Sequence, residues 1–445
     1  MPASPADSTI YGKLFGDAEV GALFTDSAEV RAMMLVEGAL AKVQGSLGMI
    51  PEVSAAAIHR ASLELQLDPG GLGAGVAANA VPVPGLVAAF REAMQAPEHA
   101  SWLHWGATSQ DIMDTALALR LRQALGIMDA RLVQVIGQLG ALAEARAEQP
   151  MVARTFGQAA VVTSFGAVVA GWGTPLIRHR ERLTAVRADV ECVSLSGAAG
   201  TLSVMGERGP EVRAGLAEAL GLRDPGASWH SRRDGIAALA GWLTGMTGSL
   251  GKMGEDLLIL TQSGIGEVTL GGGGNSSTMP QKSNPVGPSA LSAIARQAVG
   301  LNSVLQSALP HRQERDGAAW LSEWLSLGQL VILSTRATAL AGEIAQGLEP
   351  NRAAMEGHIA ATKGMIFAEA LSFALAEKML RPEAQAETKR LIALAVKAGS
   401  NLEDVASEAH PELNVADIFI SQQQLGTAPA EAMAFAAAAQ SQKVN

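Results

Sequence analysis

Three features of this chain predict an all-α fold of long, tightly packed helices. Apolar residues recur at three- and four-residue spacing through runs well beyond the usual globular helix length. Of the 445 residues, 48% are apolar but only 4% aromatic, so Ala, Leu, Gly and Met must fill the core. Such small side chains favour close helix packing over a β-sandwich. The runs are also separated by Gly, Pro and polar breaks rather than by alternating strands.

Taken in order, residues 27–48 carry a helical pattern that stops at Gly48, before Pro51. The stretch 66–87, rich in Gly, Ala and Pro, reads as a connector. Residues 112–148 form the longest run, about 55 Å at the α-helical rise, ending before Pro150. Further helical runs are expected at 158–190, 233–268, 286–308 and 320–347, with Pro175 kinking the first of these. Their apolar faces are wide, which calls for burial against other bundles and hence an oligomer. From Gly364 the pattern shortens. The expected division is an N-terminal helical domain at 1–111, a central long-helix bundle at 112–361 and a small C-terminal helical domain at 362–445.

Composition narrows the function. A net charge of −10 disfavours nucleic acid and anionic membranes as partners. No charge-free run of about 18 apolar residues appears, so no membrane span is expected. The N-terminus lacks a secretory pattern, and the single cysteine, Cys192, excludes an intramolecular disulfide; both fit a cytoplasmic protein. Cys192 has no nucleophile motif around it and reads as a packed small residue. Gly73-Ala-Gly75-Val-Ala-Ala78 matches a loose dinucleotide pattern, but no strand precedes it and Pro82 and Pro84 follow. Gly251-Lys252 is followed by Met253, which breaks a P-loop. No metal-ligand cluster and no cofactor motif stand out.

Four segments carry chemical groups. The richest is Gly274-Asn-Ser276-Ser277-Thr-Met-Pro-Gln-Lys282-Ser-Asn284-Pro285, behind Gly271 to Gly273. A Gly-rich loop of this kind can close on a substrate and bring a hydroxyl to a carbon acid, with Lys282 holding negative charge. The second segment, His104-Trp-Gly-Ala-Thr108-Ser109-Gln-Asp111, directly precedes the longest helix. Thr108, Ser109 and Asp111 are natural caps, while a helix N-terminus also binds carboxylates. The third, Arg154-Thr-Phe156-Gly-Gln158, reads as a helix opening. The fourth, Trp229-His-Ser231-Arg-Arg-Asp234, is joined by the charged run Arg312–Asp316 containing Arg315.

Together these segments resemble the fumarase/aspartase superfamily over nearly the whole chain. The N-terminal LFTDSAEVRAMMLVEGALAKVQGSLGMIP also resembles that superfamily's first helix. Within it, HWGATSQDIMDT, LSGAAGTL, WHSRRDGI and SSTMPQKSNP are most similar to the muconate-cycloisomerase branch. The resemblance implies a homotetramer with a central twenty-helix core and active sites shared between subunits. It also implies a small anionic muconate as substrate: closure of 3-carboxy-cis,cis-muconate to a carboxymuconolactone in aromatic-acid catabolism, without metal or cofactor. Ser276 is then the proton-transferring residue with Ser277 as its rival, and Lys282 and Asn284 stabilise the aci-carboxylate. His104, Thr108, Ser109, Gln158, Ser231 and Arg315 become candidates for holding the substrate.

One position departs from the superfamily's lyases, which carry a histidine after the Arg-Thr pair; here it is Phe156. An amine leaving group must be protonated as it departs, whereas the carboxylate released when a lactone reopens is a stable anion. Phe156 and Gln281 therefore weigh against an adenylosuccinate-type lyase. Gln281 is less decisive against an argininosuccinate-type lyase. Phe156 also leaves a related substrate such as 3-sulfomuconate open. A catalytically inert scaffold of the same fold is the non-enzyme alternative, and intact Ser276, Lys282 and Asn284 speak against it.

Overall fold

The computed structural model describes residues 4–272, 274, 275, 278, 279 and 282–442. Helices α1 (Asp26–Ser46), α2 (Glu52–Glu64) and α3 (Val83–Met94) lead into α4 (Ser109–Ala145). A β-hairpin, β1 (Pro150–Thr155) and β2 (Gln158–Ser164), then precedes α5 (Phe165–Val190). After α6 (Gly209–Leu220) come α7 (Asp234–Leu260), the short strands β3 (Val268–Leu270), β4 (Gly274–Asn275) and β5 (Ser283–Asn284), and α8 (Val286–Ser307). α9 (Gly317–Gln346), β6 (Leu348–Pro350), α10 (Arg381–Ala398) and α11 (Ala428–Gln440) complete the principal elements.

Five long helices, α4, α5, α7, α8 and α9, form the central bundle. Their inward stripes of Leu, Ile, Val and Met, such as Leu125, Leu132, Leu243, Leu291 and Leu330, make one core. Cross-links along the helices fix their directions. Gln306 on α8 donates to the Ala237 carbonyl on α7 at 2.9 Å, while Gly254 of α7 abuts Pro288 and Leu291 of α8, so the two run antiparallel. Gly287 of α8 abuts Leu340 and Ile344 of α9, again antiparallel. By length and composition α4 could cross a membrane; here it lies in the bundle with Leu121, Leu125, Met128 and Leu132 buried. Pro175 sits inside α5, which is continuous from Phe165 to Val190.

A second cluster packs α1 to α3 against the start of α4, and also takes in Val193, Leu195, Val212 and Leu216 from the segment that follows α5. A third holds Leu371, Leu375, Leu391 and Leu402 near the C-terminus. The last helix, α11, returns to the central bundle, where Phe435 and Ala439 join its core.

Three expectations need correction, one being the run 233–268, whose helix stops at Leu260 with β3 following from Val268. The run 158–190 is helical only from Phe165; residues 150–164 form the antiparallel hairpin β1–β2, and Arg154–Gln158 surrounds its turn rather than opening a helix. Val161, Val162 and Thr163 supply the β-branched residues that favour this pairing. The 66–87 stretch is not a plain connector: it contains a 3-10 turn at Pro69–Leu72, a helix at Gly73–Asn79 and the first residues of α3. Among the described residues the fold is otherwise helical, with three two-stranded ribbons.

Gly173 gives a test of the α5–α11 contact. A Cβ there would fall inside the Phe435 ring, so Gly173→Ala should destabilise the protein by about 1–3 kcal/mol in urea unfolding at fixed protomer concentration. An unchanged midpoint would show that α11 is not held as described.

Candidate active site

The site-bearing segments collect at the two ends of the bundle. At one end lies the N-terminus of α4. Asp111 is fully buried, and its carboxylate accepts from the Thr108 amide (3.0 Å), the Ser196 amide (2.8 Å), the Gly197 amide (3.0 Å) and His230 Nε2 (2.8 Å). One side chain therefore ties together the loop before α4, the loop after α5 and the 229–233 segment. Gln110 strengthens the tie by donating to the His230 carbonyl at 3.0 Å.

Arg315 is a cation at this end whose partners are all neutral. Its Nε donates to Gln110 Oε1 (3.0 Å), and Nη2 donates to Thr108 Oγ1 (3.2 Å) and the Ala198 carbonyl (3.2 Å). All three acceptors are neutral, so among the described residues no carboxylate cancels its charge. Nearby arginines differ: Arg312 pairs with Asp316, and Arg233 with Asp114 and Glu323. His104 adds a group whose positive form is favoured. Burial alone would lower its pKa, but the Glu37 carboxylate at 2.6 Å and Asp111 outweigh burial and the Arg91 charge, holding it above the ordinary histidine value. Ser109 is the first residue of α4, where free backbone N–H groups add to the positive field. Ser231 lies beside His230 in the same region.

A buried ion network supports this end. The Arg233 guanidinium bridges Asp114 Oδ2 at 2.7 Å and Glu323 Oε1 at 2.9 Å, joining α7, α4 and α9. Burial pushes the Glu323 carboxyl up, but Arg233 and His311 more than reverse this and hold it below the usual range.

The other end carries the remaining candidates. Phe156 (φ 50°) and Gly157 (φ 75°) form the two-residue hairpin turn, with Gln158 paired to Thr155. Positive φ at both positions matches the strand twist in such a turn but is unusual for phenylalanine. The Phe156 ring is fully exposed. Arg154 is bound by two parallel 2.8 Å hydrogen bonds to the buried Glu267 carboxylate, anchoring the hairpin to the turn before β3. β4 and β5 pair Gly274 with Asn284 and Asn275 with Ser283, bringing together the ends of the Gly-Ser-Lys loop. The Lys282 amide donates to the Met279 carbonyl at 3.0 Å. Ser276 and Ser277 lie outside the described residues.

His104, Thr108, Ser109, Ser231 and Arg315 thus share one end, while Gln158, Lys282 and Asn284 share the other. α8 separates the Asn284 loop from the segment bearing Arg315, and its 22 residues span about 33 Å. Two residues of consequence, Glu37 and the Asp111 node, are not apparent as such from sequence. Asp111 looks like an ordinary capping acid. Glu37 offers only the signal of a carboxylate inside the apolar run Leu35-Val36-Glu37-Gly38-Ala39-Leu40. Among the described residues no group of three His, Cys, Asp or Glu is placed to hold a metal ion. Cys192 is buried and its thiol is pushed up by that burial.

Residues 18–300 match the family described as lyase. The 3-carboxy-cis,cis-muconate cycloisomerase of Pseudomonas aeruginosa is 36% identical, covering 92% of this chain and 90% of that protein. The nitrosuccinate lyase of Streptomyces davaonensis is 34% identical over 92% of this chain and 89% of its own length. Among solved structures, the 3-carboxy-cis,cis-muconate lactonizing enzyme from Pseudomonas putida superposes with a TM-score of 0.92 at 32% identity, covering 97% of this chain and 99% of that one. The chain belongs to the lyase family of the fumarase/aspartase superfamily, and it is an enzyme of that superfamily.

The buried network allows a stability test. Arg233→Met removes the arginine charge from buried Asp114 and Glu323, leaving Glu323 only His311 and Asp114 only the Gln110 amide, and should cost about 3–5 kcal/mol in urea unfolding at neutral pH. Because the Glu323 carboxyl is held low, its stabilising contribution exists above the unfolded carboxyl pKa and disappears as pH falls through the lowered value. The gap between wild type and variant should therefore narrow in acid; a gap independent of pH would contradict the assignment.

Proposed function

We propose that this enzyme cycloisomerises 3-carboxy-cis,cis-muconate to a carboxymuconolactone in the cytoplasm, without a metal. The observation that carries the reading is Arg315, a cation bonded only to neutral acceptors, Thr108 Oγ1 among them, at the bundle end that also carries His104. Such a group is set up to receive a carboxylate rather than to hold the fold together. The family relationship and the similarity to cycloisomerases and a lactonizing enzyme support the same substrate.

In this mechanism one substrate carboxylate oxygen adds to the conjugated double bond. The alkene electron pair moves to the neighbouring carbon, where a second carboxylate delocalises it as an aci-carboxylate. Lys282 and Asn284 stabilise that charge, and Ser276, with Ser277 as the alternative donor, delivers a proton to the carbon. Arg315, Thr108, Ser109 and His104 hold the remaining carboxylates, with Ser231 and Gln158 as further binding groups. No acid is needed for the leaving group in the reverse direction, in keeping with Phe156.

The split between bundle ends supports a shared site. Antiparallel copies would bring the Lys282 end of one protomer to the Arg315 end of another. Exposed Val299 and Val304 on α8, with Leu321, Trp324 and Leu325 on α9, offer an apolar surface for such packing. Five long helices from each of four protomers would make the twenty-helix core of a homotetramer. A second reading rests on Phe156 and the nitrosuccinate lyase relative: release of a stable anion from a substituted succinate.

Loss of muconate ultraviolet absorbance decides between them. We expect decay with 3-carboxy-cis,cis-muconate that survives EDTA, and slower decay with 3-sulfomuconate. Formation of fumarate from nitrosuccinate with no muconate decay would replace the cycloisomerase reading with the second. Ser276→Ala should lower kcat about 10²–10⁴-fold with little change in KM. Wild-type turnover in that variant would remove Ser276 from the mechanism.

A further inference from the structure

Glu37 lies in the middle of α1, and its carboxylate is fully enclosed. Its Oε1 accepts from His104 Nδ1 at 2.6 Å, while Oε2 is buried with no hydrogen-bond partner. On the same helix face, Gln44 donates to the Trp105 carbonyl at 2.8 Å. α1 therefore grips two consecutive residues of the loop preceding α4. His104 itself stands at φ 66°, in the left-handed region.

The hydrogen bond has an electrostatic consequence. With Nδ1–H committed to a carboxylate, a neutral His104 would present a lone pair at Nε2. That lone pair would repel a substrate carboxylate; only the imidazolium presents a second N–H there. Nε2 has no protein partner among the described residues, and the His104 side chain is 20% exposed. A buried carboxylate without an Arg or Lys partner also demands a compensating positive charge. We propose that Glu37 is a positioning residue: it orients His104 and keeps Nε2 a hydrogen-bond donor toward an anionic substrate group.

The charged groups facing His104 are consistent with this role. Glu37 and Asp111 favour the imidazolium; Arg91 on α3 opposes it. Arg91 is occupied by the Ala100 and Leu103 carbonyls at 3.2 and 3.0 Å. Asp111 is already committed to His230 and three amides, which leaves Glu37 as the dedicated partner.

The inference rests on the anionic-substrate reading, so its test includes an arm independent of turnover. Site-resolved diethyl pyrocarbonate modification of His104, read by peptide mass spectrometry, measures the neutral fraction of the ring. Because its pKa is raised, His104 stays charged to higher pH and the protection should fade only as pH rises through that value. In Glu37→Gln, modification at neutral pH should accelerate and the alkaline fall of kcat/KM with 3-carboxy-cis,cis-muconate should move to lower pH. At pH 8 we expect a KM increase of about tenfold, recovering in acid. Adding His104→Gln to the wild type and to Glu37→Gln should erase the difference between the two backgrounds, since both effects act through one ring.

An unchanged modification profile in Glu37→Gln would overturn the proposal, as would a KM defect equal at every pH. Glu37→Asp, which keeps the charge, should recover much of the wild-type profile and separates charge from packing if Glu37→Gln folds poorly. If wild type fails to consume the muconate while modification still responds to Glu37, the substrate reading fails and the Glu37–His104 coupling stands.

Discussion

The Asp111 carboxylate organises one end of this protein. It is buried at the N-terminus of a 37-residue helix and satisfies donors from three separate segments. A carboxylate in so dry a place is stable only when its lone pairs are filled, so loss of any one donor weakens the hold on the others. Through Thr108 and Gln110 it fixes the acceptors of Arg315, and the Arg233 network below fixes the helices that carry them. Arg315 keeps a charge that no ion pair cancels, because Asp111, Asp114 and Asp316 are each bonded to other donors.

The hairpin at the opposite end follows a related rule. Phe156 is a large apolar side chain, fully exposed, in a left-handed conformation. Hydrophobic collapse within the protomer does not explain it. The Arg154–Glu267 pair has the planar two-bond geometry that restricts rotation, and it fixes the base of the turn on the bundle. Arg154 therefore acts as a strut, its charge consumed by Glu267, while the turn it supports is presented outward.

Helices were the legible part of the sequence because their stripes repeat over many turns and errors average out. The boundaries of α4, α7, α8 and α9 fall within a few residues of the pattern except at the end of α7, where the expected run reaches 268 but Thr261-Gln-Ser-Gly264 interrupts the apolar face and the helix stops at Leu260. The β1–β2 hairpin was not legible. Gln158–Ser164 runs straight into the apolar start of α5, and its turn uses Phe-Gly rather than the Asn-Gly that advertises such a hairpin. Site residues in motifs could be named, but their distribution between two ends could not. That distribution depends on helix direction, which a linear pattern does not carry. Glu37 escaped for a similar reason: its partner is 67 positions away, and the buried face of α1 looks apolar on either side.

The placement of Phe156 bears on why an anion-releasing reaction suits this site. A histidine at a hairpin tip could carry a proton to a departing amine; a phenyl ring can only exclude water and shape the space beside it. In the shared site proposed above, water excluded by that ring would strengthen the cation–carboxylate interactions beside it, since each would act in a lower dielectric. A reaction whose leaving group is already a stable anion loses nothing by this exchange, and its charged intermediate gains. Were protomers to pair as proposed, Arg315 with neutral acceptors, His104 held by Glu37 and the apolar hairpin tip would be parts of one arrangement. Positive charge is fixed by the fold at one end of the bundle, and at the other a phenyl ring stands where an amine lyase would need an acid. The chemistry these groups favour is movement of a carboxylate oxygen on and off carbon.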